Sequence, residues 1–221
     1  MSSVSVLTID GPSGAGKGTV SRILALRLGW HYLDSGALYR VLALSAIQHK
    51  ISSEDASGLL QLTADLPVSF VLKNETEDHR VLLLDQDVTE QLRLEQTGNM
   101  ASKIAAIGRV REALLVWQRN FAASPGLVAD GRDMGTVVFP QAAVKIFLTA
   151  SHEARAKRRY NQLNGKGLSV SLSDLSNEIR ERDERDANRA VAPLRPADGA
   201  VVIDSTNNTI HQVVESILRL I

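Results

Sequence analysis

Gly11-Pro12-Ser13-Gly14-Ala15-Gly16-Lys17-Gly18-Thr19 follows an apolar run at 4–9 and precedes a helix-patterned stretch, so the order reads strand, glycine loop, helix. A phosphate-cradling loop needs that order. Glycines let the backbone turn tightly and aim several N–H groups inward, and the helix N-terminus adds partial positive charge. Gly11, Gly16 and Lys17 meet the spacing G-x-x-x-x-G-K, and Gly14 adds a further flexible point. Lys17 is then expected to reach the β- and γ-phosphates of a nucleoside triphosphate. At position 18 the general pattern wants Ser or Thr, and this chain has Gly18 followed by Thr19.

Outward from the loop, short apolar segments at 4–9, 31–33, 127–129, 144–148 and 200–203 alternate with helix-like stretches at 17–28, 36–49, 54–64, 109–122, 151–164, 173–188 and 209–220. That alternation predicts an α/β fold with a five-stranded parallel sheet and right-handed crossovers. Ser35, Ser151, Ser173 and Asn208 stand where helix N-caps are expected. The rhythm breaks at about 66–92, where β-like runs at 68–72 and 80–84 and a turn at Asp85-Gln86-Asp87 suggest a small antiparallel insertion able to move as a lobe.

At 221 residues and 44% hydrophobic content the chain can bury one full core. Basic and acidic residues both number 25, so no global field recruits nucleic acid or a membrane. There is no cysteine, and the five histidines are scattered without ligand spacing, which argues against disulfide, thiolate and histidine–metal chemistry. No leader pattern and no long apolar run are present, and a soluble cytoplasmic protein is expected.

Three further stretches carry charge to the places where open α/β sheets bind ligands. Asp34-Ser35-Gly36-Ala37-Leu38-Tyr39-Arg40 follows the second strand: a helix N-terminus with a nearby guanidinium suits a second phosphate, although a plain cap with a solvent-facing arginine has the same pattern. Asp130-Gly131-Arg132-Asp133-Met134-Gly135 follows the third strand and sets two carboxylates and a guanidinium at the carboxyl edge. Asp130 is placed like the carboxylate that helps hold Mg²⁺ and its waters, Arg132 can fork onto a phosphate, and Asp133 can accept from an amino group. Arg182, Arg185 and Arg189 share a helix face by their spacing, and Arg155, Arg158 and Arg159 lie on the preceding helix. Joined by the mobile-looking 164–168, the two helices would make a lid over phosphates, or else a salt-bridged solvated surface.

GPSGAGKGT at 11–19, DSGALYR at 34–40, RVREALL at 109–115, DGRDMGTVVFP at 130–140 and ERDERDANRAVAPL at 181–194 together resemble the bacterial cytidylate kinases over nearly the whole chain. The loop is shared by many nucleoside monophosphate kinases; DGRDMG and RAVAP are much narrower. The resemblance implies a P-loop kinase fold of one domain with three parts: a core (about 1–34, 109–150 and 192–221), a monophosphate-binding region with the β insertion (about 35–108) and an arginine-rich lid (about 151–191). It implies transfer of the γ-phosphoryl group of ATP to CMP or dCMP with Mg²⁺, by a monomer.

By the same resemblance, residues 11–19 with Arg155 and Arg159 would bind ATP. Ser35, Arg40, Arg132 and Arg189 would grip the CMP phosphate, Ser102, Arg111 and Asp133 would read cytosine, and Asp186 would lie near the ribose. Lys17, Arg132, Arg182, Arg185 and Arg189 would carry the transfer. Gly18 argues against a loop hydroxyl on the metal, which leaves ATP oxygens and water to hold it, with Asp130 behind the water. Two other classes share the loop. A kinase for a non-nucleotide acceptor such as shikimate would not need the Arg111/Asp133 pair, and a GTP switch would carry an Asn-Lys-x-Asp motif, which this chain lacks.

Overall fold

The computed structural model describes residues 4–64, 66–165, 170–189 and 191–221. Ser5–Asp10 (β1), buried at every position but its first, lies in the middle of a parallel sheet. His31–Asp34 (β2), Gly126–Gly131 (β6), Val144–Thr149 (β7) and Val201–Asp204 (β8) complete it in the order β2-β6-β1-β7-β8. β1 and β6 are covered on both faces and so read as continuous apolar runs, whereas β8 at the sheet edge is largely exposed. The register aligns Ile9 and Asp34 with Asp130, and Asp10 with Gly131. Asp10, Asp34 and Asp130 therefore stand together at the carboxyl end of the sheet.

Lys17–Leu28 (α1) is bounded by two left-handed glycines. Gly16 (φ 97°) opens it, and Gly29 (φ 64°) closes it by donating its N–H to Leu26. Ser35–Gln48 (α2) is buried along most of its length, with Leu38, Val41, Leu42, Ala43 and Ala46 fully enclosed. Its N-cap is Asp34, whose carboxylate accepts the Ala37 N–H at 2.9 Å, and not the expected Ser35. Asp34 still has strand dihedrals, and Ser35 is already the first helical residue.

The insertion forms the antiparallel sheet Val68–Val71 (β3), Arg80–Leu83 (β4) and Gln86–Asp87 (β5), preceded by Ala56–Thr63 (α3). It is fastened to the core at several points. Arg22 donates to the Asn74 carbonyl at 2.8 Å, Arg27 pairs with Glu75 at 2.9 Å, and the Trp117 indole donates to the Leu66 carbonyl at 3.2 Å.

Thr89–Arg93 (α4) and Glu95–Ile104 (α5) are helices that the sequence pattern does not announce. Neither has a side-chain N-cap, and α5 carries Gly98 and Asn99, both weak helix formers. Tertiary packing supplies what propensity lacks: Ala101 and Ile104 join the core cluster around α2. Gly108–Asn120 (α6) leads into β6, and β6 runs into a π-helical turn at Met134–Val138.

His152–Asn164 (α7) and Leu172–Ala187 (α8) bear the arginines. Ser151 caps α7 as expected, whereas Ser171 rather than Ser173 caps α8. Residues 166–169, on which most of the expected mobile connection falls, and Ala190 lie outside the described residues. Ile210–Leu218 (α9) is capped by Thr209 in a reciprocal capping box with Gln212, and not by Asn208. Among the described residues, no helix is long and apolar enough to cross a membrane.

Candidate active site

Two carbonyls of the glycine loop are held by side chains from neighbouring elements. Arg155 donates to the Ser13 carbonyl at 3.1 Å, and Ser205 donates to the Ala15 carbonyl at 2.9 Å. In a planar trans peptide the following N–H points the opposite way, so the Gly14 and Gly16 N–H groups face the loop interior. Gly11 is obligatory, since a Cβ there would lie 1.9 Å from the Leu148 carbonyl oxygen. Lys17 curls back so that its ammonium donates to the Pro12 carbonyl at 3.0 Å. Burial, and after it the Arg132 guanidinium, lowers its pKa to about 7.

Asp130 is buried beside Lys17, and burial raises its carboxyl well above the ordinary range. Among the described residues no cluster of three or more His, Asp or Glu side chains could cage a metal unaided. A magnesium shared with a triphosphate requires less: one or two carboxylates, with phosphate oxygens and water for the rest. The buried Asp130 beside the loop fits that demand.

Beyond the loop, one cavity of about 70 Å³ brings together Ser35, Arg40, Ser102, Arg111, Arg132, Asp133, Arg182, Asp186 and Arg189. Arg111, on α6, donates to the Ala105 carbonyl at 3.1 Å and forms a buried ion pair with Asp133. Asp186, 2% exposed, holds two arginines: Arg132 through Nε at 2.9 Å, and Arg189 through its other oxygen. Burial opposes ionisation of Asp186, but the Arg132 and Arg189 charges outweigh it and keep the carboxyl below its usual range. Arg182 is lowered to about 9, first by burial and then by repulsion from Arg132 and Arg40. The cavity thus concentrates positive charge that its own carboxylates do not fully balance.

Not every arginine expected there is brought in. Arg185 is exposed, its Nε donating to the Glu181 carbonyl at 3.3 Å, and it lines a wider neighbouring cleft with Glu181, Glu184 and Asn188. Its helical position is turned too far from Arg182 and Asp186 to enter the smaller cavity. Arg155 is engaged from behind the loop, pairing with Asp183 at 2.6 Å as well as with Ser13, so it ties α8 to the loop. Arg158 turns to the far side and donates to the Ser205 hydroxyl at 3.0 Å. Arg159 donates to Gln162 at 2.9 Å. The Ser35 hydroxyl donates to Gln118 at 2.8 Å inside the protein.

Some residues of the site were not singled out from sequence. Asp10 accepts the N–H groups of Met134 and Gly135, each at 2.8 Å, and so fixes the turn after Asp133. Gly98 lets α5 pass over the Arg40 guanidinium, since a Cβ there would lie 3.0 Å from Arg40 Nη1. Tyr39 faces the Arg111 guanidinium, 5.7 Å from the ring centroid. Asp10 adjoins the loop motif and Tyr39 lies within the DSGALYR stretch, so both were within reach of a sequence signal; Gly98 gave none.

Residues 7–221 match the family model described as cytidylate kinase. A cytidylate kinase from Colwellia psychrerythraea is 59% identical over 98% of this chain and 95% of its own. One from a Marinomonas species is 61% identical over 96% and 93%. Among solved structures, an uncharacterized protein from Eubacterium ventriosum shares the fold at 12% identity, with a TM-score of 0.52 over 97% of this chain and 96% of that one. With the glycine loop, the Arg111–Asp133 pair and full-length identity of this order, the chain belongs to the cytidylate kinase family.

Proposed function

We propose that this protein transfers the γ-phosphoryl group of ATP to CMP or dCMP, giving ADP and CDP or dCDP. The observation that carries the reading is the buried Arg111–Asp133 pair, which opens into the same cavity as Arg40, Arg132, Arg182 and Arg189. Cytosine offers an amine donor with ring N3 and a carbonyl as acceptors. Asp133 accepts from the amine, and Arg111 with the Ser102 hydroxyl supplies donors. Uracil would place a carbonyl against the carboxylate and leave it unpaired, which a buried site rejects strongly.

The acceptor phosphate is already anionic near neutral pH, so the step asks for positioning and charge stabilisation rather than a strong base. Lys17 and the loop N–H groups hold the β- and γ-phosphates. Arg132, Arg189, Arg40 and Ser35 orient the acceptor phosphate, Asp186 sits by the ribose, and Arg182 faces the transferring group. Arg155, Arg159 and Arg185 act in closing α7 and α8 over the nucleotides and excluding water. Asp130 would hold the magnesium that accompanies ATP, through water, and the ion would supply positive charge to the triphosphate. A cavity of about 70 Å³ is too small for a nucleoside monophosphate, so entry separates α8 from α5, and the acceptor phosphate replaces Asp186 as partner of Arg132 and Arg189.

A coupled assay with ATP, Mg²⁺ and each of CMP, dCMP, UMP and AMP tests this reading. Turnover should be confined largely to the cytidine nucleotides, and Lys17→Ala or Arg132→Ala should lower it by orders of magnitude while circular dichroism stays unchanged. Equal turnover of UMP, or a fully active Lys17→Ala protein, would overturn it.

A further inference from the structure

Tyr32 buries its phenol oxygen with no hydrogen-bond partner among the described residues. Its ring belongs to the core cluster that includes α1, edge-on to Phe70 with centroids 6.0 Å apart. Packing accounts for the ring and not for the oxygen: a phenylalanine would fill the same space without the desolvation penalty of an unpaired hydroxyl. The oxygen reaches the first turn of α1. A Cβ placed on Gly18 would lie 4.0 Å from it, and 3.4 Å from Asp130 Oδ2. Residue 18 is where glycine loops of the general pattern carry the Ser or Thr whose hydroxyl goes to magnesium. Two protein oxygens thus border the space that the missing side chain would have occupied.

We propose that the Tyr32 hydroxyl replaces the loop hydroxyl that Gly18 lacks, and that together with Asp130 it holds the water shell of the magnesium that accompanies ATP. A phenol can accept from a metal-bound water and still donate its own proton. Burial pushes the Tyr32 pKa well up, so that proton stays in place at neutral pH. Magnesium sheds its waters reluctantly and binds through few protein groups, so a hydroxyl that orders a water is as useful to it as one that displaces it. This inference rests on the reading that the glycine loop binds ATP.

Tyr32→Phe deletes one oxygen and keeps the packing. Without nucleotide, the variant should melt about 2–4 °C above the parent, because an unpaired buried hydroxyl has gone. By calorimetry, its affinity for ATP in EDTA should be unchanged, while the Mg²⁺ concentration giving half-maximal enhancement of ATP binding should rise about five- to tenfold, the loss expected of one hydrogen bond. Adding Gly18→Ser to Tyr32→Phe should recover the magnesium response, since a Cβ at position 18 meets only ordinary contacts. A lower melting temperature with an unchanged magnesium response would assign Tyr32 to packing alone and overturn the inference. Equal losses with and without metal would assign the hydroxyl to a phosphate instead, and overturn it too. If the parent protein itself binds ATP no better with magnesium than in EDTA, the ATP reading has failed and takes this inference with it.

Discussion

The Asp10 carboxylate accepts the Gly135 N–H at 2.8 Å, across the junction between the glycine loop and the turn that follows Asp133. Asp10 ends β1 and immediately precedes Gly11; Gly135 lies two residues beyond Asp133. A Cβ on Gly135 would come within 2.9 Å of the Thr8 hydroxyl, so only glycine lets the backbone approach this closely. One carboxylate therefore fixes both where the glycine loop starts and where Arg132 and Asp133 point. Burial raises Asp10 to about 6, against the pull of its two backbone hydrogen bonds.

Asp10→Asn should separate this positioning role from ATP binding. The amide turns one acceptor into a donor that faces a backbone N–H, so one hydrogen bond is lost and a conflict replaces it. Chemical denaturation should show a loss of about 1–3 kcal/mol. The KM for CMP should rise and the preference for CMP over UMP should narrow, while ATP affinity stays near the parent value. Unchanged base preference would show that the turn after Asp133 holds its shape without Asp10.

Asp186 offers a second test, because it separates two guanidiniums that would otherwise repel each other. Asp186→Ala leaves Arg132 and Arg189 largely buried without their carboxylate, and removing one partner of such a group destabilises by about 3–5 kcal/mol. Inorganic phosphate can occupy the vacated place. Raising phosphate should therefore lift the melting temperature of the variant more than that of the parent. Equal shifts in both would show that Asp186 does not hold the arginines apart.

Asp133→Asn tests the base-reading pair more gently than alanine would, since the amide oxygen can still accept from Arg111. A charged acceptor for the cytosine amine becomes a neutral one, and the amide can turn its NH₂ toward the uracil carbonyl. The kcat/KM for CMP should fall about 10- to 100-fold, the range expected for one hydrogen bond to a charged group. The value for UMP should hold or rise. Parallel losses on both nucleotides would place Asp133 outside base recognition.

Much of the fold and part of the site could be read along the chain, and the division has physical causes. The strands β1 and β6 and the helix α1 were legible because burial on both faces and glycine caps leave local signatures. The helix α5 was not, because its stability comes from contacts with α2 that no local pattern encodes. Arg132, Asp133, Arg182 and Arg189 do meet in one cavity, which their loop and helix face suggested, and Asp186, which only the family resemblance pointed to, joins them there. Arg185 was grouped with them by spacing, yet a helix face is wider than a cavity mouth, and its side chain falls outside. Gly98 and the unpaired oxygen of Tyr32 acquire meaning only from residues distant in sequence.

Lys17 supplies the remaining prediction, from proton linkage. Its pKa is lowered from 10.5 to about 7 in the folded protein by burial, with Arg132 adding to the effect. At pH 8 the free protein holds Lys17 mostly neutral, whereas bound phosphates favour the ammonium. ATP binding should then draw in close to one proton, about 0.9, and the apparent affinity should weaken up to about tenfold per pH unit above 7. The sign for stability is the reverse. Between about 7 and 10.5 the unfolded chain binds a proton that the folded one lacks, so the unliganded protein gains stability from this group as pH rises through that window. Calorimetry in buffers of different ionisation enthalpy measures the uptake, and Lys17→Met should abolish it. Uptake of the same size in Lys17→Met would place the titrating group elsewhere.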